Sequence, residues 1–255
     1  MIKHILSSYN MIPDYATYFD QFGHLYFNKR IEKGLLFNEY IEIPAITQLI
    51  NSFELNTESR VLDIGCAFGS YSKFLAEKEI LVTSIDVSEQ MVVMAKKYCE
   101  GFNNIEFIHS DFLTYDFKGK KFDLILGSFM LGYFHDLNLF FDKIKSISAS
   151  KGCIVLSMLH PIIQSKVSRI AGEGILINNY FEDKTFESNY LKDDKPIQLK
   201  KWTFGQIFEA CSVNSLIVEN LLEPKPVLTA NVSDSEIEFF SKCPSVAIFV
   251  ITRRS

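Results

Sequence analysis

An excess of positive charge is missing from this chain: 26 Lys and Arg stand against 31 Asp and Glu, for a formal net charge of -5 and a pI near 5.6. Without a sequence-wide positive field there is no electrostatic footprint for a phosphate backbone, so nucleic acid is disfavoured as a partner and a small molecule is expected. Long apolar runs are missing too. No stretch approaches the ~20 apolar residues that span a bilayer, and the N-terminus, with Lys3 and His4, has no continuous apolar run of secretory length. A soluble, untargeted protein with no membrane partner is expected. Cysteine is scarce and unpaired: Cys66, Cys99, Cys153, Cys211 and Cys243 are scattered without CxxC spacing. Their odd number argues against a disulfide framework and their spacing against a zinc site, which makes a reducing cytoplasm the simplest compartment and gives no reason to expect a metal. There is also no internal repeat and no low-complexity tract.

What is there is a chain of 255 residues, 47% hydrophobic, long enough for one substantial core and near the upper size of a single α/β domain. From Arg60 onward, β-rich apolar segments alternate with amphipathic segments of helix length, the pattern of a parallel sheet with crossover helices. Strands are expected at Arg60 to Ile64, Leu81 to Asp86, Ile105 to His109, Phe122 to Gly127 and Gly152 to Met158, with helices such as Ser70 to Lys78 and Ser88 to Cys99 between them. Ser88 is a good N-cap, and Glu89 suits the positive helix start. Two further strands, Ser215 to Leu222 and Ser245 to Thr252, are expected as an antiparallel pair at one sheet edge. Pro224, Pro226 and Pro244 suggest that an irregular connection, and no clean helix, joins them. Residues 1 to about 50, rich in Tyr and Phe, form an expected helical cap. The polar stretch from His160 to Lys201 is longer than an ordinary loop and forms an expected substrate cap inserted after the fifth strand.

The chemistry centres on Val61-Leu62-Asp63-Ile64-Gly65-Cys66-Ala67-Phe68-Gly69-Ser70, an apolar strand that ends in a small-residue turn and opens into a helix. Gly65 and Gly69 have no Cβ and Ala67 only a methyl, so main-chain N–H groups can approach a nucleotide-like ligand. A dinucleotide fingerprint would need glycine at 65, 67 and 70, and Ala67 and Ser70 break it, which weakens a pyrophosphate site. Asp63 instead places a carboxylate where an ammonium group would be welcome. Asp86 ends the second strand about twenty residues beyond Gly65, the spacing at which an acid accepts hydrogen bonds from ribose hydroxyls. Asp111 followed by Phe112 could hold an adenine amino group and pack on its ring, or could simply close an Asx-turn.

The ordered segments VLDIGCAFG, VTSIDVSEQM, FIHSDF and FDLILGSFMLGYF resemble the class I S-adenosylmethionine-dependent methyltransferases over roughly residues 40 to 160. NEYIEIPAITQLI ahead of the first strand, LHPI after the fifth and LLEPKP after the sixth are similar to a bacterial small-molecule group of that family. The resemblance implies a Rossmann-like α/β fold: a seven-stranded, mostly parallel sheet, last strand antiparallel, helices on both faces. It implies S-adenosyl-L-methionine as cofactor, S-adenosyl-L-homocysteine as product, and a methyl group moved to an O, N or C atom of a small acceptor. By the same resemblance Asp63, Gly65, Cys66, Ala67 and Gly69 cradle the methionine end, Asp86 takes the ribose, Val87 and Met91 wall the adenine, and Asp111, Phe112 and Ser128 complete the contacts.

Because a sulfonium methyl is already electrophilic, such an enzyme has mainly to align a nucleophile and exclude water, with a histidine near neutral pKa as the usual base where a proton must leave. His160, at the C-terminal end of the fifth strand, is the first candidate by position, and His135 the second. Tyr18, Tyr133 and Tyr180 are candidates for closing over the substrate, with core packing as the alternative. Three rivals remain at this level: a nicotinamide-dependent oxidoreductase, which wants the missing glycine; a noncatalytic binding or scaffold protein of the same fold; and a nucleic-acid methyltransferase, which wants an NPPY-type or Pro-Cys motif that is absent.

Overall fold

The computed structural model describes residues 14–32, 34–170, 174–182, 185–188, 196–227 and 234–254. Residues 1–13 of the expected N-terminal cap, and 171–173, 183–184 and 189–195 of the expected insertion, lie outside the described residues. Seven strands form one sheet: β1 (Arg60–Ile64), β2 (Leu81–Asp86), β3 (Ile105–His109), β4 (Phe122–Gly127), β5 (Ser148–Leu159), β10 (Leu216–Leu222) and β11 (Val246–Arg253), in the order β10-β11-β5-β4-β1-β2-β3. The first five pair in parallel, while β11 runs antiparallel to both β5 and β10. The last strand thus inserts between its neighbours, as expected.

Central strands of such a sheet are covered on both faces and therefore read as continuous apolar runs. Along β1 the period of two sends Leu62 and Ile64 into one core, with Phe140, Phe141 and Ile144 of α5 (Leu137–Ile147) and Ile207 and Cys211 of α7 (Phe204–Val213). Val61 joins the other core, with Ile46 and Ile50 of α2 (Ile43–Asn51) and Tyr71 and Leu75 of α3 (Ser70–Ala76). Asp63 shares the parity of Val61, so its carboxylate meets α3 and not the aromatic side of the sheet. The helix expected from Ser88 is α4 (Glu89–Tyr98), whose Met91 N–H donates to Ser88 Oγ at 3.1 Å.

Three expected bounds are revised. β5 begins four residues before Gly152, because Ser148 already pairs with Phe122 ahead of a register shift. The connection between β10 and β11 contains a regular helix, α8 (Asp234–Lys242); Pro224 and Pro226 precede it and Pro244 follows it, so the prolines delimit a helix that they were expected to preclude. The insertion after β5 holds a short helix, α6 (Pro161–Gln164), and two antiparallel hairpins, β6 (Lys166–Ile170) with β7 (Gly174–Asn178) and β8 (Thr185–Ser188) with β9 (Ile197–Lys200).

Ahead of the sheet come α1 (Tyr15–Glu32), a five-residue π-helix (Asn38–Glu42) and α2. Helix α1 docks on the start of α4. Asp20 Oδ1 accepts from Ser88 Oγ at 2.7 Å and from Gln90 N–H at 3.1 Å, so an acid of one helix caps another. Gly23 permits this approach, since a Cβ there would lie 3.4 Å from the Met91 side chain.

Candidate cofactor and substrate site

The C-terminal ends of β1, β2, β3 and β4 open into a cavity of about 830 Å³, roofed by α1 and walled on one side by the 3₁₀ turn Leu131–Tyr133 and hairpin β8–β9. Pockets for small molecules and cofactors run to about 300–1,000 Å³. The floor is the turn after β1. Gly65 has φ +64°, Ala67 φ 48° and Gly69 φ 85°, alternate residues in the left-handed region. At Gly65 the positive φ favours glycine, and a Cβ would lie 2.2 Å from Met130 Sδ, so the methionine side chain would have to move to admit one. Ala67 is held in its unfavourable conformation by a hydrogen bond from its N–H to Asp86 Oδ2 at 2.9 Å, while Ser88 N–H donates to Oδ1 at 2.9 Å. A carboxylate has about four acceptor positions, so Asp86 keeps capacity for a diol while fixing the turn.

Burial pushes the Asp63 carboxyl up to about 7, helped by the nearby charges of Asp86 and Glu42 and opposed by the hydrogen bond it accepts from Ser72 Oγ at 2.6 Å. Burial pushes Asp86 up to about 6 against its backbone hydrogen bonds. Two such carboxyls on one wall give the cavity a standing demand for positive charge and hydroxyl donors. Asp111 Oδ1 accepts from Leu113 N–H at 2.7 Å and Thr114 N–H at 3.2 Å, which makes the Asx-turn, yet Asp111 also lines the cavity, as do Val87, Met91, Cys66 and Phe112. Phe112 is fixed by ring contacts with Phe117, Phe134 and Phe140.

Ser128 lines the cavity too, but its hydroxyl donates to Glu42 Oε1 at 2.7 Å. Glu42, fully buried at the end of the π-helix, also accepts from Tyr71 Oη at 3.2 Å and from Ser157 Oγ, and its carboxyl is raised by burial. Neither Glu42 nor Arg30 was singled out in the sequence. Arg30, 7% exposed and lining the cavity, gives Nε to Glu39 Oε1 at 2.5 Å and Nη1 to Tyr26 Oη at 2.9 Å, over the face of Phe68. Tyr26 and Asn38 line the same stretch. No local pattern marks these residues, because they reach the site only through the packing of α1 and the π-helix against the sheet.

Four expected site residues stand apart from the cavity-lining set. Gly69 is the N-cap of α3, where a Cβ would meet Cys99 Sγ at 3.0 Å, so its role is close helix packing. His160 is buried with both ring nitrogens engaged: Nδ1 accepts from Ile162 N–H at 3.1 Å, which makes it the N-cap of α6, and Nε2 lies 2.7 Å from Glu223 Oε1. That is a structural histidine, and its position after β5 misled because the ring turns toward β10. Tyr18 packs on Phe19 and Phe22, and Tyr180 on Phe181. His135 and Tyr133 do line the cavity. Among the described residues no group of three or more His, Cys, Asp and Glu is placed to hold a metal ion.

Sheet order and glycine turn give a Rossmann-like fold that is similar to solved S-adenosylmethionine-dependent methyltransferases. Residues 61–152 match the family described as a methyltransferase domain. The chain is similar to a phosphoethanolamine N-methyltransferase of Plasmodium falciparum, 37% identical over 84 residues that cover 32% of each chain. It is also similar to a ribosomal RNA small subunit methyltransferase A of Halothermothrix orenii, 28% identical over 36% of this chain and 31% of the other. The matches thus span about a third of these relatives' length. In three dimensions it is similar to an S-adenosylmethionine-dependent methyltransferase of Mesorhizobium loti, with a TM-score of 0.71 at 21% identity over 83% of this chain and 97% of the other.

Proposed function

We propose that this protein is an S-adenosylmethionine-dependent methyltransferase acting on a small-molecule acceptor. The observation that carries this reading is the convergence of Asp63, Asp86 and Asp111 with the turn at Gly65 on one cavity. When bound, the cofactor supplies a methyl group on a positively charged sulfur. Asp63 and the backbone around Gly65 would hold its amino-acid end, with Arg30 and Asn38 facing the carboxylate; Asp86 would take the ribose hydroxyls, and Val87, Met91, Asp111 and Phe112 the base. Raised carboxyl pKa values fit a cationic ligand, whose charge favours the ionised acids. A nicotinamide dinucleotide fits worse, because its pyrophosphate would sit against Asp63. The ribosomal RNA methyltransferases among the relatives raise nucleic acid as an acceptor, but a net charge of -5 gives this chain no general attraction for it.

Titration calorimetry tests the reading. S-adenosylmethionine and S-adenosylhomocysteine are expected to bind, Asp86→Ala to weaken both by tenfold or more, ~1.4 kcal/mol or greater, and NADH to show no comparable affinity. Tight NADH binding without binding of either sulfur ligand would overturn it.

A further inference from the structure

Beside the acid-lined floor, the same cavity has an aromatic wall. Tyr15 and Phe19 of α1 meet Tyr133 with ring centroids 4.9 and 6.0 Å apart, and Gly132 lies against Leu199 of β9 closely enough that a Cβ would sit 3.4 Å from its side chain. Met130, which touches the turn at Gly65, lines the cavity as well. Among the described residues the whole cavity wall holds one Lys or Arg, Arg30, already engaged by Glu39 and Tyr26. An acceptor carrying phosphate or carboxylate would therefore enter beside Asp14, Asp136 and Glu187 at the rim with no other cation on the described wall to meet it. An acceptor carrying a fixed positive charge would be repelled by the sulfonium it must approach.

His135 is the one histidine on the described wall, and its protonation can be worked out by counting hydrogens. Tyr15 Oη has a single proton, which it donates to the Gln198 carbonyl at 3.0 Å. At its 3.4 Å contact with His135 Nε2 the phenol oxygen can then only accept, so the Nε2 position carries the hydrogen. Nδ1 is left with a bare lone pair. Burial and the charge of Lys200 also hold the ring's pKa below its usual value, so it is neutral near pH 7.

Resting on the reading of this cavity as a methyltransferase site, the geometry points to an uncharged, largely apolar acceptor that is methylated on a hydroxyl, a phenol fitting best, with His135 Nδ1 as the general base and Tyr15 as the residue that sets its tautomer. The acceptor oxygen gives its proton to Nδ1, and its electron pair forms the new carbon–oxygen bond. The pair of the methyl–sulfur bond stays on sulfur, which loses its positive charge. A flat aromatic acceptor also matches walls made of rings, which prefer edge-to-face and offset contacts.

The test uses the protein loaded with sinefungin, a nontransferring analogue whose ammonium group supplies the positive charge that S-adenosylhomocysteine lacks, and three probes of one shape: 2-naphthol, 2-naphthyl phosphate and 2-naphthylmethylamine. By calorimetry 2-naphthol is expected to bind at least tenfold tighter than either charged analogue. Equal or tighter binding of the phosphate or the amine overturns the assignment of acceptor class. Nitrogen-15 spectra of the imidazoles at pH 7 should show His135 neutral with its hydrogen on Nε2, and Tyr15→Phe should let the Nδ1–H tautomer appear while S-adenosylhomocysteine affinity stays within twofold. A wild-type ring that is protonated, or that carries its hydrogen on Nδ1, overturns the base assignment. Failure of S-adenosylhomocysteine itself to bind would instead strike the methyltransferase reading, so the two failures are distinguishable.

Discussion

Asp63 is the residue whose chemistry most depends on the fold. Its carboxyl titrates near 7 in the folded protein, against ~3.9 in an unfolded chain. Between those values the folded state holds a proton that the unfolded state has released, so this group's contribution is complete below about pH 4 and is lost as pH rises through 7. The ligand-free protein is therefore expected to lose stability from pH 5 to pH 8. Asp63→Asn, which cannot titrate, should flatten that decline and leave the ligand-free protein more stable than wild type at pH 8 by on the order of 2 kcal/mol. Urea unfolding of both proteins at the two pH values measures this; parallel pH slopes would count against it. Cofactor affinity should move the other way in wild type, rising with pH as Asp63 ionises toward the ammonium group. The tripeptide Asp63-Ile64-Gly65 was readable as a site because strand, acid and glycine are adjacent in sequence. The shift of its pKa was not, because it arises from burial among Ser72, Asp86 and Glu42, which are far away along the chain.

At the scale of elements, α1 decides whether the cavity has a roof. It contributes Tyr15, Phe19, Tyr26 and Arg30 to the wall, and it is tied to α4 by Asp20. Removing this acid leaves Ser88 still capping Met91, so Asp20→Ala should cost only about 1 kcal/mol. Its effect should be local: faster amide exchange in α1, unchanged protection in β1 and β4, and S-adenosylhomocysteine affinity reduced several-fold. Equal acceleration in α1 and the central strands would show that the contact supports the whole fold and not the roof alone. The strand positions were legible because each is an apolar run bounded by turn residues, and Ser88 was legible as an N-cap because capping is a local act. The helix Asp234–Lys242 was misjudged because flanking prolines say where a helix stops, not whether one exists. His160 was misjudged for a related reason: the end of a parallel strand marks where ligands bind, but a single side chain there can turn either way, and this one turns to Glu223.

For the molecule as a whole, ligand binding and folding are linked through one cavity between sheet and roof. At a ligand concentration of one hundred times Kd, binding to the folded state alone adds about 2.7 kcal/mol, and for a chain of this size each kcal/mol moves Tm by ~2–4 °C. S-adenosylhomocysteine at that concentration is therefore expected to raise Tm by about 5–10 °C, as read by differential scanning calorimetry. NADH at the same concentration should leave Tm within a degree. A Tm insensitive to S-adenosylhomocysteine would show that the cavity does not hold it.

Taken alone, the order of residues determined the strands, their parallel core, an antiparallel pair at one edge and the acids that end β1 and β2, because these follow from local periodicity and from the geometry of a strand running into a turn; the insertion of the last strand between its neighbours was implied only by the family resemblance. Only the folded chain decided which histidine meets the cavity, that Arg30 lines it, and how Tyr15 fixes the hydrogen of His135. Those outcomes depend on where α1 and the two hairpins dock, and docking is settled by packing between segments more than a hundred residues apart, such as Tyr15 and Gln198.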